Sequence, residues 1–357
     1  VYVSFYFTII SSCDKVSVDF AYGWYSRETI PEGKEHEFHI SGLNISALLH
    51  ILKMNICERG GGMRIGFIGA GKMGFTLGRY LRDKVKDGGC GDVEVIGYYS
   101  RNPESARQAA EFTDTKYYDD VADLLHECDV LFLTVPDGQI AVTADELDRL
   151  GGAGITSGLK SLLDGKILCH TSGALSSEVF SGIKSRVYGY SIHPMYAVSS
   201  KTESYKNFNE SYITIEGDEK YLEYFYGLFS GFGHHVSILT AENKVKYHAA
   251  SVCASNLVIG LYSMAVGLLE DCGFSEEAAD TALKPLFKNN ALKLAMSSPA
   301  EALTGPVERC DTETVSRHLD SLTGENREIY RLLSKRLVDI AGGRSGKNYD
   351  EMKKILE

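Results

Sequence analysis

No Cys-x-x-Cys pair occurs in this chain, although it has eight cysteines, at positions 13, 57, 90, 128, 169, 253, 272 and 310. That excludes a zinc ribbon. A chain of 357 residues also has core enough to need no disulfide staples, so the cysteines read as reduced, cytoplasmic thiols. The His234-His235 pair and the "HEFH" of residues 36–39 lack Cys or His partners at ligand spacing, and no metal site is expected. Basic excess is missing as well. Lys and Arg number 37 against 48 Asp and Glu, a formal net charge of −11, which excludes a nucleic-acid partner held by phosphate neutralisation. No apolar run reaches the roughly 18 residues of a membrane span. The first residues, "VYVSFYFTIISSC", lack the basic region of a signal peptide. Internal repeats and low-complexity linkers are absent too.

What is present is concentrated after Met63. "MRIGFIG" is a short apolar strand, "GAGKMG" supplies Gly-x-Gly-x-x-Gly as Gly69, Gly71 and Gly74, and "FTLGRYLRDKV" follows at helical spacing. The glycines permit a tight turn, close approach of a pyrophosphate to backbone, and close helix–strand packing. The free N–H groups of the helix N-terminus face the anion. Ala70, Lys72 and Met73 belong to the same turn. The next strand, "DVEVIGYYS", ends in Ser100-Arg101, where an NAD enzyme places Asp or Glu for the ribose hydroxyls. A hydroxyl and a guanidinium suit a 2′-phosphate, so NADP is preferred over NAD; the alternative is a surface arginine. Asp92 and Glu94 lie at the wrong end of that strand to substitute.

A dinucleotide strand normally opens its domain, which makes residues 1–62 the anomaly. Either they are an added segment that packs on the domain, or "ERGGG" before Met63 is a translated ribosome-binding site in an over-extended frame. The second reading is preferred, and residues 1–62 are expected to lie outside the native fold.

Residues 63–240 then alternate strands and helices through "DVLFLTVPD", "KILCHTSG", "RVYGYSIHP", "SYITIEG" and "HHVSIL". This is the pattern of a parallel, doubly wound Rossmann sheet in an α/β protein. Ligands of such sheets lie beyond the carboxyl ends of the strands, where "VPD", "HTSG" and "SIHPM" fall. Val135 and Pro136 are assigned to the cofactor, Ser172 and His193 to the reaction. From 241 to 342 the pattern is all helical, beginning with one core helix of about 30 residues by its 3.6 spacing. His248 and Asn256 share a face of that helix, bonded either to core partners or into the cleft. "LTGPVERC" brings Thr304 and Arg309 to a Gly-Pro turn, and Asp311 is placed to cap the next helix. Residues 343–357 read as a loose tail.

The stretches "IGFIGAGKMG", "VPDGQI", "HTSGALSSEVF", "SIHPMYAVS", "KYHAASVCASN" and "ALTGPVERCDTETVSRHL" resemble Rossmann-like proteins carrying the DUF2520 domain. These are similar to pyrroline-5-carboxylate reductases and the wider 6-phosphogluconate dehydrogenase-like group. The resemblance runs from about 63 to 340, the DUF2520 part beginning near 193. It implies an NAD(P)-binding domain, an all-helical second domain and a homodimer, and names no substrate. "HPMYAVS" departs from the H-P-L-Q-x-F of many relatives. The "HPM" stretch is also similar to prephenate dehydrogenases, in which a Ser and a His act together on the substrate hydroxyl. Ser172 and His193 match those positions, but the Gly that follows in that family is absent here.

Hydride transfer needs a proton partner for the reacting oxygen or nitrogen, and histidine is the natural one. His193 is the first candidate, with Ser172 orienting it. His248 and Asn256 follow as donors to substrate, while Arg309 and Thr304 would hold a substrate carboxylate. The alternative for His193 is a structural bond to a backbone carbonyl beside Pro194. The chain thus reads as an NADP-dependent reductase of a small carbonyl or imine compound, a keto acid among them. The competing class is a sensor or scaffold that binds NADP without turnover.

Overall fold

The computed structural model describes residues 5–12, 15–22, 62–86, 93–152, 161–343 and 346–357. The chain divides into two units, Val1–Ile56 and Cys57–Glu357. In the first, β1 (Phe5–Ser12) pairs antiparallel with β2 (Lys15–Tyr22). The rest of residues 1–61, including "ERGG" before Gly62, lies outside the described residues, and so does Asp92.

In the second unit the strands are β3 (Met63–Ile68), β4 (Val93–Tyr99), β5 (Lys116–Tyr117), β6 (Val130–Leu133), β7 (Ile167–His170), β8 (Tyr188–Met195), β9 (Tyr212–Gly217) and β10 (Val236–Ile238). They form one sheet in the order β10-β9-β8-β7-β6-β3-β4-β5. The chain order reverses at β3, which has β4 on one side and β6 on the other, and this opens the crevice beyond the strand ends. Alternate residues feed two opposite layers. Ile65, Phe67, Val130, Phe132 and Ile167 enter one cluster; Ile68, Leu131, Leu133 and Leu168 enter the other. Burial on both faces explains why β6 and β7 are unbroken apolar runs.

The sheet is parallel, as expected from the alternation, at every pair but one. β8 and β9 are antiparallel, with His193 opposite Thr214. The 196–211 connection holds only a 3-10 stretch, Ser204–Glu210, and not the crossover helix that a parallel return uses.

After Ile238 every described element is helical. The single core helix expected from 241 is instead two helices, Lys244–Ala254 and Asn256–Asp271, broken at Ser255 (φ −128°, ψ −81°). The Ser255 hydroxyl donates back to Ser251 O at 2.7 Å, a bond that competes with the helix ladder. Nor is this a core element, since no residue of Asn256–Asp271 is buried and Ile259 is 69% exposed. Within Ala241–Asp271 an 18-residue window of mean hydropathy 1.8 is long and apolar enough to cross a membrane, contrary to the expectation that no run is long enough.

Residues 343–357 are also not the loose tail expected. Met352 of the Asp350–Ile355 helix and the flanking Tyr349 and Leu356 are buried with Val307, Val315, Leu319 and Val338. Arg331 donates to Leu356 O at 2.7 Å, tying the end of the chain to the Gly324–Gly342 helix.

Candidate active site

β3 delivers the chain to Gly69, whose φ of +101° only glycine adopts without strain. A Cβ there would lie 2.8 Å from Thr134 O, and one on Gly74 would lie 2.5 Å from Gly69 O. These two glycines therefore let the turn, β6 and the Lys72–Lys86 helix close on one another. Gly71 has no such neighbour. A Cβ there would meet only Thr134 O at 3.8 Å, on the open side where a phosphate would approach. The helix carries no acidic residue in its first turn, leaving its positive end free for an anion.

A cleft of about 470 Å³ opens at this turn. Of the residues expected to hold the cofactor, Gly69, Ala70, Gly71, Ser100, Arg101, Val135 and Pro136 all line it. Gly74, Lys72 and Met73 form the first helical turn behind it. At the end of β4 the Arg101 guanidinium is exposed and donates to Gln139 Oε1 at 2.9 Å, a neutral partner. Asn102 caps the Pro103–Thr113 helix, which fixes the strand end that carries Arg101. The cradle and its uncommitted cation fit a dinucleotide.

The next two strand ends are joined by side chains. Ser172 Oγ donates to Asp137 Oδ2 at 2.7 Å, linking the loop after β7 to the residue following Pro136. The same oxygen accepts from the N–H groups of Ala174 and Leu175. His170 is fully buried; its Nδ1 accepts from Ser172 N, so its Nε2–H donates to Ser176 O at 3.1 Å. Burial pushes its pKa down to about 4, and it serves as a neutral pin of this loop.

His193 does not receive its orientation from Ser172, as the sequence had implied. Ser172 is committed to Asp137, and the partner of His193 is Tyr247, whose hydroxyl lies 2.8 Å from Nδ1. The His193 and His248 rings meet edge to face at 6.1 Å, and both crowd Gly173. Burial, with the nearby charges of Lys244 and His248, pushes the His193 pKa down to about 3, so the imidazole is neutral. Beneath it the Lys244 ammonium is 1% exposed and donates to Ser191 Oγ at 2.6 Å and Ser172 O at 3.0 Å. Burial lowers its pKa to about 8.

The structure thus brings His193 and His248 together at Gly173, next to Ser172, and ties Ser172 to Asp137, the residue after cleft-lining Pro136. It leaves the other candidates apart. Asn256 opens the second helix, exposed, with its side-chain amide 3.1 Å from Ser255 Oγ. Thr304 and Arg309 are exposed at the Gly305-Pro306 turn and do not line the cleft, while Asp311 caps the following helix through Thr314 N as expected. Asn256 was grouped with His248 on the premise of one continuous helix, and the break at Ser255 removes that premise. Sequence reasoning missed Lys244, Tyr247 and Asp137. The first two were legible as i and i+3 neighbours of each other on the face that carries His248.

Residues 64–157 match the family model of NADP oxidoreductase, coenzyme F420-dependent, and residues 211–337 match the domain of unknown function DUF2520. Among solved structures, protein TM1727 from Thermotoga maritima is 24% identical over 78% of this chain and 98% of its own, with a TM-score of 0.59. Protein BF3122 from Bacteroides fragilis is 23% identical, covering 78% and 98%, with a TM-score of 0.54. A 1-pyrroline-5-carboxylate reductase from Streptococcus pyogenes is 15% identical, covering 79% and 99%, at 0.50. At these identities the likeness is one of fold. No curated protein matches the chain.

Proposed function

We propose that this chain, which matches an NADP-oxidoreductase model over residues 64–157 and DUF2520 over 211–337, reduces a small carbonyl or imine compound, with 2-keto acids and cyclic imines as the substrate classes. One observation carries the reading: His193, fixed by Tyr247, packs at Gly173 next to Ser172, whose bond to Asp137 ties that loop to the strand end lining the dinucleotide cleft. The bound nicotinamide would supply the hydride. The protein's task is then to hold a proton at the substrate oxygen or nitrogen. When Tyr247 donates to Nδ1, the proton of His193 sits on Nε2, the atom that faces Gly173. A neutral imidazole can polarise a carbonyl through that N–H without first taking up a proton.

The test is cofactor oxidation with NADPH and NADH against a set of 2-keto acids and cyclic imines. Oxidation dependent on one of these classes is the expected result. Tight NADPH binding with no turnover across the set would make the chain a binding protein. NADP is preferred over NAD because Arg101 is exposed in the cleft, bonded only to neutral Gln139 among the described residues. A charge-assisted phosphate contact is worth roughly 1.5–3 kcal/mol. Arg101→Ala should therefore cut the ratio of NADPH to NADH affinity by about tenfold or more. Equal losses for the two cofactors would remove the assignment.

The reading includes a homodimer. Leu257 (58% exposed), Ile259 (69%) and Met296 (88%) belong to helices with almost no buried residue in a single chain. An apolar surface of this kind needs cover. A second copy supplies it better than lipid does, because the break at Ser255 would leave backbone groups unpaired in hydrocarbon. Sedimentation equilibrium should give twice the chain mass, and Ile259→Asp should shift it towards the monomer. The thiols of Cys128, Cys169, Cys253, Cys272 and Cys310 are free, which suits a reducing, cytoplasmic setting.

A further inference from the structure

The dinucleotide cleft has a cation that does not come from the strands and helices around the glycine turn. Lys201 lines it together with Ser100 and Arg101, yet it belongs to the connection between β8 and β9. It is held there by its own turn and by the helix below. Ser200 N donates to the buried Ser204 Oγ at 3.0 Å, and Ser200 Oγ accepts from the N–H groups of Thr202 and Glu203. Further along, buried Phe208 packs edge-on against Tyr80 at 5.0 Å, and the Arg79 guanidinium lies 5.4 Å over the Tyr205 ring. Both anchors fix the connection to the Lys72–Lys86 helix.

The Lys201 ammonium stands 4.9 Å from the centre of the Phe75 ring, one turn into that same helix. Its charge is not spent on a carboxylate. Glu203, the acid on its own turn, is paired with Lys206 at 2.6 Å, and among the described residues Lys201 has no ion-pair partner. Arg101 is in the same condition, bonded to an amide. The cleft therefore holds two unpaired cations against one lining carboxylate, Glu146. A pyrophosphate has the helix N-terminus and the glycine turn to receive it. The two side-chain cations are surplus to that need and match a further phosphate, which is dianionic near neutral pH.

We propose that Lys201 is a second ligand of the cofactor's 2′-phosphate, closing on it with Arg101. This rests on the NADP reading above. The consequence is that the cofactor's adenosine end is gripped from two separate parts of the chain, one of them the connection that leaves β8 just after His193.

The experiment is calorimetric titration of the full chain with NADPH, NADH, 2′,5′-ADP and 5′-ADP. Lys201→Met keeps the apolar stem on Phe75 and removes the charge. It should weaken NADPH and 2′,5′-ADP by about tenfold while NADH and 5′-ADP stay within about twofold, and Lys201→Arg should restore most of the loss. Thermal melts run alongside should show unchanged stability. A loss shared equally by NADH and 5′-ADP would mean that Lys201 holds the pyrophosphate, and would overturn the assignment. Unchanged binding of all four ligands would overturn it too. A wild-type chain that binds neither NADPH nor NADH would instead bring down the cofactor reading itself, before any variant is compared.

Discussion

His193→Asn should lower turnover by about 10²–10³-fold, the usual cost of losing one donor aimed at the developing charge on the substrate, while leaving NADPH affinity nearly intact. The separation is expected because the phosphate cradle is built by Gly69, Gly71 and Gly74 at a different strand end. Single-turnover kinetics beside thermal melts make the measurement. The pH profile adds a second readout. The imidazole is pushed down to about 3 by burial and by Lys244, so it does not change charge between pH 5 and 8. Turnover should then show no acid limb near the ordinary histidine pKa of about 6.5. If His193→Asn turns over normally per folded molecule, His193 leaves the mechanism and His248 becomes the candidate.

Gly173→Ala is expected to cost about 10²-fold in turnover through geometry alone. The added methyl would lie 2.5 Å from His248 Cδ2 and 2.9 Å from His193 Nε2, well inside contact distance. The His193 ring cannot retreat freely. His193 is bonded to Tyr247 at 2.8 Å, and its strand is held by the β9 register. A displacement on the order of 1 Å at a reacting group can cost about 10²-fold. The variant should still bind NADPH as the wild type does, and its melting temperature should fall modestly, as overpacking predicts. Full activity in Gly173→Ala would show that the reacting atoms lie away from this pair of rings.

The contrast between what the chain announced and what it concealed has a physical basis. The glycine turn was legible because its three glycines follow one another at fixed spacing between a strand and a helix, so the pattern is written in adjacent residues. The strand ends at Val135, Ser172 and His193 were legible for a similar reason, since an apolar run that stops at polar residues marks a sheet edge. The partners across those edges were not. Ser172 finds Asp137 through the order of strands, a property of the whole sheet, and His193 finds Tyr247 through the packing of the Lys244–Ala254 helix against its strand. The break at Ser255 was hidden by an apolar pattern that continues smoothly through it, because one serine hydroxyl bonding back to Ser251 decides the backbone there. The tail misled in the opposite direction. Its charged residues suggested solvent, while Tyr349, Met352 and Leu356 were enough to bury one face.

The antiparallel step from β8 to β9 has a bearing on how such a chain can change over generations. A parallel return would carry the connection to the far end of the sheet. The reversal keeps it on the crevice side, since Met195 and Tyr212 sit side by side in the register. Of the segment between them, residues 196–203 precede the buried anchors Ser204 and Phe208, and new side chains there need not move any strand. This stretch reaches the cofactor cleft through Lys201 and adjoins the strand end that carries His193. Drift confined to this one stretch could retune both ligand preferences at once, while the sheet that folds the protein stays as it is.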